Sequence, residues 1–139
     1  MTIINLLASG QGIKGNEVNI ELAKQISVTE NKIAVKELVE NLTNKDKNIQ
    51  SDCIKTLYEL GCIKPELIAD YCPEFIKLLT SKNNRLVWGG MIALATIADL
   101  KHKEIFESLK EIIEVINNGS VITIDNGVEI LAKLNKYDK

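Results

Sequence analysis

Three stretches of this chain carry one helical pattern at intervals of about 37 residues. CIKTLYEL, beginning at Cys53, is echoed by MIALATIA from Met91 and then by GVEILAKL, in which Gly127 falls where Gly90 falls one unit earlier. Internal periods of roughly 20–50 residues built from paired helices specify a stack, because one hairpin cannot bury its apolar face alone. The repeat therefore predicts an all-α chain, an α-α superhelix of about three and a half hairpins.

Size and composition agree with that reading. A chain of 139 residues forms one domain and removes about 70% of its unfolded surface from water without a disulfide or metal. Apolar residues make up 45% but aromatics only 4%, so the core must be built from Ile, Leu, Val and Ala, as helix-on-helix packing prefers. We expect residues 1–139 to form a single unit, with 1–15 as an N-terminal cap or flexible segment.

The pattern along the chain supplies the elements. Asn16 is a candidate cap for a helix to about Ile26, with Val18, Leu22, Ala23 and Ile26 as its buried stripe. Thr29 is a second candidate cap, before a helix marked by Ile33, Leu38, Val39 and Leu42. From Asn48 to Leu60 the next apolar face is Ile49, Cys53, Ile54, Leu57 and Leu60, with Gly61 as a stop. Pro65 suits a helix N1 position. Pro73 predicts a break near Tyr71 or Cys72 and a short helix to about Leu79. NNRLVWGG opens a helix through Ala98, and a long helix is expected from Lys103 to Ile116 with Ile105, Leu109, Ile112, Ile113 and Ile116 inward. Asn118 and Gly119 end it. The last segment, capped by Ser120, contains a β-branched run, Val121 to Ile124, that favours strand locally; the repeat register makes it helix. Tyr137 to Lys139 are expected to fray.

The Pro-Glu-Leu-Ile-Ala start of one helix, the block SKNNRLVWGGMIALATIA and the segment Ser-Val-Ile-Thr-x-Asp-Asn resemble HEAT repeats and, more loosely, armadillo repeats, as in small HEAT-like bacterial proteins. The resemblance covers about residues 16–135. It implies a right-handed stack with one row of helices convex and one lining a concave face, and binding of protein partners on such surfaces. Gly89 and Gly90 depart from the usual pattern, which favours Ala within that helix.

Charge and cysteine usage narrow the partners. Net charge is −2, with nine basic and eleven acidic residues in 1–80 and eight of each in 81–139. Duplex binding rests on clustered Lys and Arg, so a balanced chain with one Arg argues against nucleic acid. Cys53, Cys62 and Cys72 form no CxxC pair and read as small buried thiols of a reducing compartment. MTIINLLASG lacks a basic flank and is too short to span a bilayer. The expectation is a cytoplasmic protein with no membrane partner, no cofactor and no metal.

Few residues carry recognisable chemistry. GQGIKG, Gly10 to Gly15, has the spacing of a dinucleotide loop, but Asn16 caps the helix after its last glycine and no second strand follows, so it reads as a connector. His102 lies in a turn between Lys101 and Lys103, where solvent exposure is expected. Arg85 and Trp88, the only Arg and the only Trp, stand three apart near one helical face. Both residue types are enriched at interface hot spots, which makes them a candidate interaction patch. Asp125 falls one unit after Trp88, where Arg85 is its most attractive partner, and Asn126 can join it. Gly89, Gly90 and Gly127 read as sites of close helix approach.

The expected function is a non-catalytic scaffold binding a protein or peptide, with Glu74, Lys77, Glu107, Lys110 and Glu111 presenting a mixed-charge concave face. The alternative is a DNA-binding or repair protein similar to HEAT-like alkylation glycosylases, with Trp88 and Asp125 as its aromatic and acid. Self-association into a homodimer through an apolar terminal hairpin is the third reading.

Overall fold

The helix at Lys32–Glu40 is buried along one stripe and that at Asn84–Ile97 over most of its circumference, and the computed structural model shows how these surfaces are covered. It describes residues 3–8, 17–118 and 121–137. Among these the fold is all-α, without strands. A short 3-10 helix, Ile3–Leu6, is followed by α1 (Glu17–Thr29), α2 (Lys32–Glu40), α3 (Lys47–Ile63), α4 (Cys72–Leu78), α5 (Asn84–Ile97), α6 (His102–Glu107), α7 (Leu109–Asn118) and α8 (Val121–Asn135). Pro65–Leu67 and Ala69–Tyr71 form 3-10 turns between α3 and α4, and Pro73 stands in the first turn of α4, where its missing N–H costs no bond.

Two rows result. α3 packs between α1 and α5, and α5 between α3 and α8. α2, α4 and α7 cover α3, α5 and α8 respectively. Neighbours in the first row are tied at repeat-equivalent places. Asn19 Nδ2 of α1 donates to Asp52 Oδ1 of α3 at 2.8 Å, and Asn83 Nδ2 donates to Gln50 Oε1 of α3 at 3.0 Å. At the other end of the row, Lys133 Nζ of α8 donates to the Ala95 carbonyl of α5 at 2.7 Å. Contacts that recur a repeat apart at both ends of these helices set them side by side and parallel.

Glycines set the spacing of the row. A Cβ at Gly89 would stand 2.5 Å from Ile54 Cγ1, and one at Gly90 would stand 3.2 Å from the Phe75 carbonyl. Gly127 meets Ile116 of α7, with Met91 of α5 alongside. Gly61 was expected to stop α3; instead it lies inside the helix, where a Cβ would strike Thr96 of α5, and α3 runs on to Ile63. Close approach, not left-handed geometry, is what that position requires.

Caps explain most of the boundaries. Asp46 accepts from the Asn48 N–H at 2.8 Å and Asn83 from the Arg85 N–H at 3.1 Å, starting α3 and α5. Thr29 does not cap α2. It stays in α1, with its hydroxyl donating to the Gln25 carbonyl, and Asn31 caps α2 by accepting from Ala34 N–H. Between them Glu30 takes φ 49°, and the Asn31 N–H reaches back to the Ile26 carbonyl, a Schellman-type end to α1.

Five further expectations are corrected. Ile33 is 81% exposed because the buried stripe of α2 is Ala34, Val35 and Leu38, which places Ile33 on the opposite side. The helix expected over Lys103–Ile116 breaks at Ser108: α6 contacts both α4 and α8 while α7 follows α8, and one straight rod does not serve both. Ile113 consequently faces outward. Tyr137 is docked, not frayed: its ring stacks on His102 at 3.8 Å and its hydroxyl donates to Asp99 Oδ1 at 3.1 Å. His102 is thereby half-buried instead of solvent-exposed. The first residues described are also docked, with Leu7 buried and the Ala8 N–H donating to Asn19 Oδ1 at 2.9 Å. The GQGIKG segment, Asn16, Gly119 and Ser120 lie outside the described residues.

Candidate functional site

Trp88 stands between two open clefts. The first, of about 360 Å³, lies between α3 and α5 and is lined by Asp52, Lys55 and Tyr58 on one side and by Arg85, Trp88 and Ile92 on the other. The second, of about 370 Å³, lies where α5 meets α7 and α8, with Val87, Glu111, Glu114, Val115 and Thr123 around Trp88. The indole is half-buried and belongs to both walls. α5 presents Arg85, Trp88 and Ile92 along one stripe because Gly89, next to them, lets Ile54 press against the helix backbone. A larger residue there would lift α5 off α3 and widen the first cleft.

The two clefts differ in charge. The first mixes signs: Arg85 is exposed, Asp52 receives the Asn19 amide, and the Lys55 ammonium stands 4.9 Å from the Tyr58 ring centroid and 3.9 Å from Glu59. The second carries Glu111 and Glu114 and no cationic side chain. Carboxylates beside an apolar wall suit a cationic side chain with an apolar neighbour.

The sequence-derived patch is therefore divided. Arg85 and Trp88 share the first cleft. Asp125 lies exposed on α8 and Asn126 half-buried beside it, and neither lines a Trp88 cleft. No ion pair joins Arg85 to Asp125 among the described residues. Lys55, Tyr58 and Glu114 were not singled out from the sequence; Tyr58, an aromatic three positions from Lys55 on one helix, was the available signal. The side chains expected to form the concave face fall mostly elsewhere. Glu74, Lys77, Glu107 and Lys110 belong to α4, α6 and α7, outside the row that carries Trp88, and only Glu111 reaches its cleft.

Thiol chemistry is quiet. Burial, reinforced by Asp52, pushes the Cys53 thiol up to about 12, and burial with Glu104 does the same for Cys72. Cys62 is exposed, contrary to the expectation of three buried thiols, and its pKa is raised by partial desolvation and by Glu59 and Glu129. Among the described residues no group of three or more His, Cys, Asp or Glu is placed to hold a metal ion, and no helix is long and apolar enough to cross a membrane.

No protein-family model and no curated protein matches the sequence. The fold is similar to the crystal structure of an engineered protein from the Northeast Structural Genomics Consortium, with TM-score 0.67 and 20% identity over 96% of this chain. The chain spans 61% of that protein's length. At that identity the likeness speaks for the all-α fold alone.

Proposed function

We infer that the chain is a HEAT-like helical repeat of the cytoplasm that serves as a non-catalytic binding module, taking a segment of a partner protein across Trp88. The observation that carries this reading is the position of the one indole, half-buried as the shared wall of two clefts. Such residues combine large contact area with little rotamer entropy and dominate interface energetics. The in-register row of parallel helices supports the superhelix, and the free thiols suit a reducing compartment. The segment bound pairs an apolar side chain, laid on Trp88, with a basic one directed at Glu111 and Glu114.

The repair reading has less support, since the acid and aromatic proposed for it, Asp125 and Trp88, do not share a cleft. Selection of a random peptide library on the immobilised protein tests the binding reading. Enriched peptides should carry Lys or Arg beside an apolar residue, lose at least about tenfold in affinity with Trp88→Ala, and shift the single resonance of 5-fluorotryptophan-labelled protein. Binding untouched by both Trp88→Ala and the Glu111→Lys, Glu114→Lys pair would sink it, and a salt-steep affinity for duplex DNA would reverse the order of the two readings.

A further inference from the structure

The charges on either side of Trp88 are of opposite sign, and the stability of the fold does not require them there. Arg85 stands in the first turn of α5, which carries no acidic residue. A cation at that place opposes the helix macrodipole, whose positive end lies at the same turn. The Arg85 side chain is exposed and forms no ion pair among the described residues. The other charges lining the cleft between α3 and α5 are engaged: Asp52 Oδ1 accepts the Asn19 amide, and the Lys55 ammonium lies 3.9 Å from Glu59 and against the Tyr58 ring. In the cleft on the other side of Trp88, Glu111 and Glu114 are exposed and likewise form no ion pair among the described residues.

We propose, resting on the Trp88 binding reading, that the segment bound there carries three features in fixed order: a basic side chain at Glu111 and Glu114, an apolar one on the indole, and a carboxylate on Arg85. Arg85 and Lys55 outnumber Asp52 in the first cleft, whereas the second is purely acidic. The two clefts therefore fix which end of the segment lies in which. Reversal would set its acid against two glutamates and its base against Arg85, which excludes the wrong order by repulsion. Crossing α5 covers about one helix width, roughly 10 Å, which an extended segment spans in about three residues. The guanidinium offers a carboxylate two parallel N–H donors. A phosphoryl group carries nearly twice that charge and would stand in the cleft with Asp52, so the carboxylate fits better. Trp88 supplies contact area, and Arg85 sets specificity.

Peptide selection on three forms of the immobilised protein tests this: the wild type, Arg85→Glu, and the Glu111→Lys, Glu114→Lys pair. Wild-type peptides should carry Asp or Glu about three residues from their Lys or Arg, with the apolar residue between. The glutamate pair variant should keep the acid and lose the base. Arg85→Glu should select a basic residue in place of the acid and bind wild-type peptides at least about tenfold more weakly. Changing the peptide's acid to Lys should restore that affinity. An acidic residue suits the first turn of a helix, so Arg85→Glu should melt no lower than the wild type; Arg85→Gln should give a milder loss without rescue. Trp88-dependent peptides that lack the acid, or that bind Arg85→Glu as tightly as wild type, overturn the charge order and leave the binding reading standing. Phosphoserine in place of the acid, if it binds at least about tenfold tighter, overturns the carboxylate. Selection that yields no Trp88-dependent peptide removes both readings.

Discussion

The two ends of the helix row are finished differently. At the N-terminal end α1 turns outward a stripe of Glu17, Glu21, Lys24 and, in its last turn, Val28, with Gln25 beside it, while Leu7 and the Ala8 N–H close the adjoining edge. At the other end α8 turns outward Ile124, Val128 and Ala132. Terminal units of a stack need a polar outer face to remain soluble alone, and α1 meets that condition except at Val28, while α8 is apolar along Ile124, Val128 and Ala132. The difference teaches that an apolar stripe is a property of every unit, and that only what covers it distinguishes an internal joint from an open end.

The largest effect should come from removing the closure at the first end. Leu7 is 0% exposed, so Leu7→Ala should cost about 2–5 kcal/mol of unfolding free energy, the range for emptying a core leucine site. Val128→Ala at the open end should change monomer stability by no more than about 0.5 kcal/mol, as for other surface positions. Urea unfolding of both variants in dilute solution checks this. Equal, small losses would mean that the first end is as open as the last.

The joints between helices should respond next. Gly89→Ala places a methyl against Ile54 at its branch point in the middle of the row, where neither helix can retreat. A loss of about 1–3 kcal/mol is expected from overpacking, more than the roughly 1 kcal/mol that alanine returns in helix propensity. Gly127→Ala meets the side chain of Ile116, half-buried near the open end and able to swing aside, so its net cost should be smaller. Melting temperatures of the two variants rank them. A larger loss at Gly127 would show that α7 and α8 are locked as firmly as the interior.

How much of this was legible in the sequence follows from how far each cause reaches along the chain. The helix opening at NNRLVWGG, the start at Pro65 and the break at Pro73 are carried by residues within a few turns of each other, and the helical state of Val121–Asn135 by the repeat register, which outweighs its local β-branched preference. Ile33 against Ala34 is different. Both suit a helix, and which one turns inward depends on where α3 lies. The same holds for Gly61, whose role is set by Thr96 a repeat away, and for Ser108, where the break exists because α6 and α7 have different neighbours. At the site, Arg85 and Trp88 were visible because they are the only residues of their type. Glu114, Lys55 and Tyr58 were not, and Glu111 was named only as one of several face charges, since mixed surface charges look alike until the fold gathers some of them around one indole. Asp125 was placed with Trp88 by register alone; register fixes its position along α8, but Asp125 lines neither cleft.

The smallest predicted effect concerns a clip that closes the C-terminal end along one edge only. Asp99 accepts from Lys136 Nζ at 2.8 Å and from the Tyr137 hydroxyl at 3.1 Å, and the Tyr137 ring covers His102. The hydrogen bond from Lys136, with that from Tyr137, holds the Asp99 carboxyl below its ordinary 3.8, so the clip is intact above that value and is lost as pH falls through the lowered one. The bond to Asp99 raises Tyr137 above 10.0, so its share is complete below pH 10.0 and disappears as pH rises through the raised value. Lys136, raised above 10.5 by the same partner, behaves alike. The tail should therefore be docked across the neutral range and released at both extremes, with no global unfolding, because these groups lie at the surface where such pairs contribute little. Tyr137 ring resonances followed by NMR from acid to alkali should move in two steps, and in Asp99→Asn the acid step should vanish. A single acid step that persists in that variant would assign the clip to the ring stack alone, and would leave the last turn of α8 as unsecured as the face beside it.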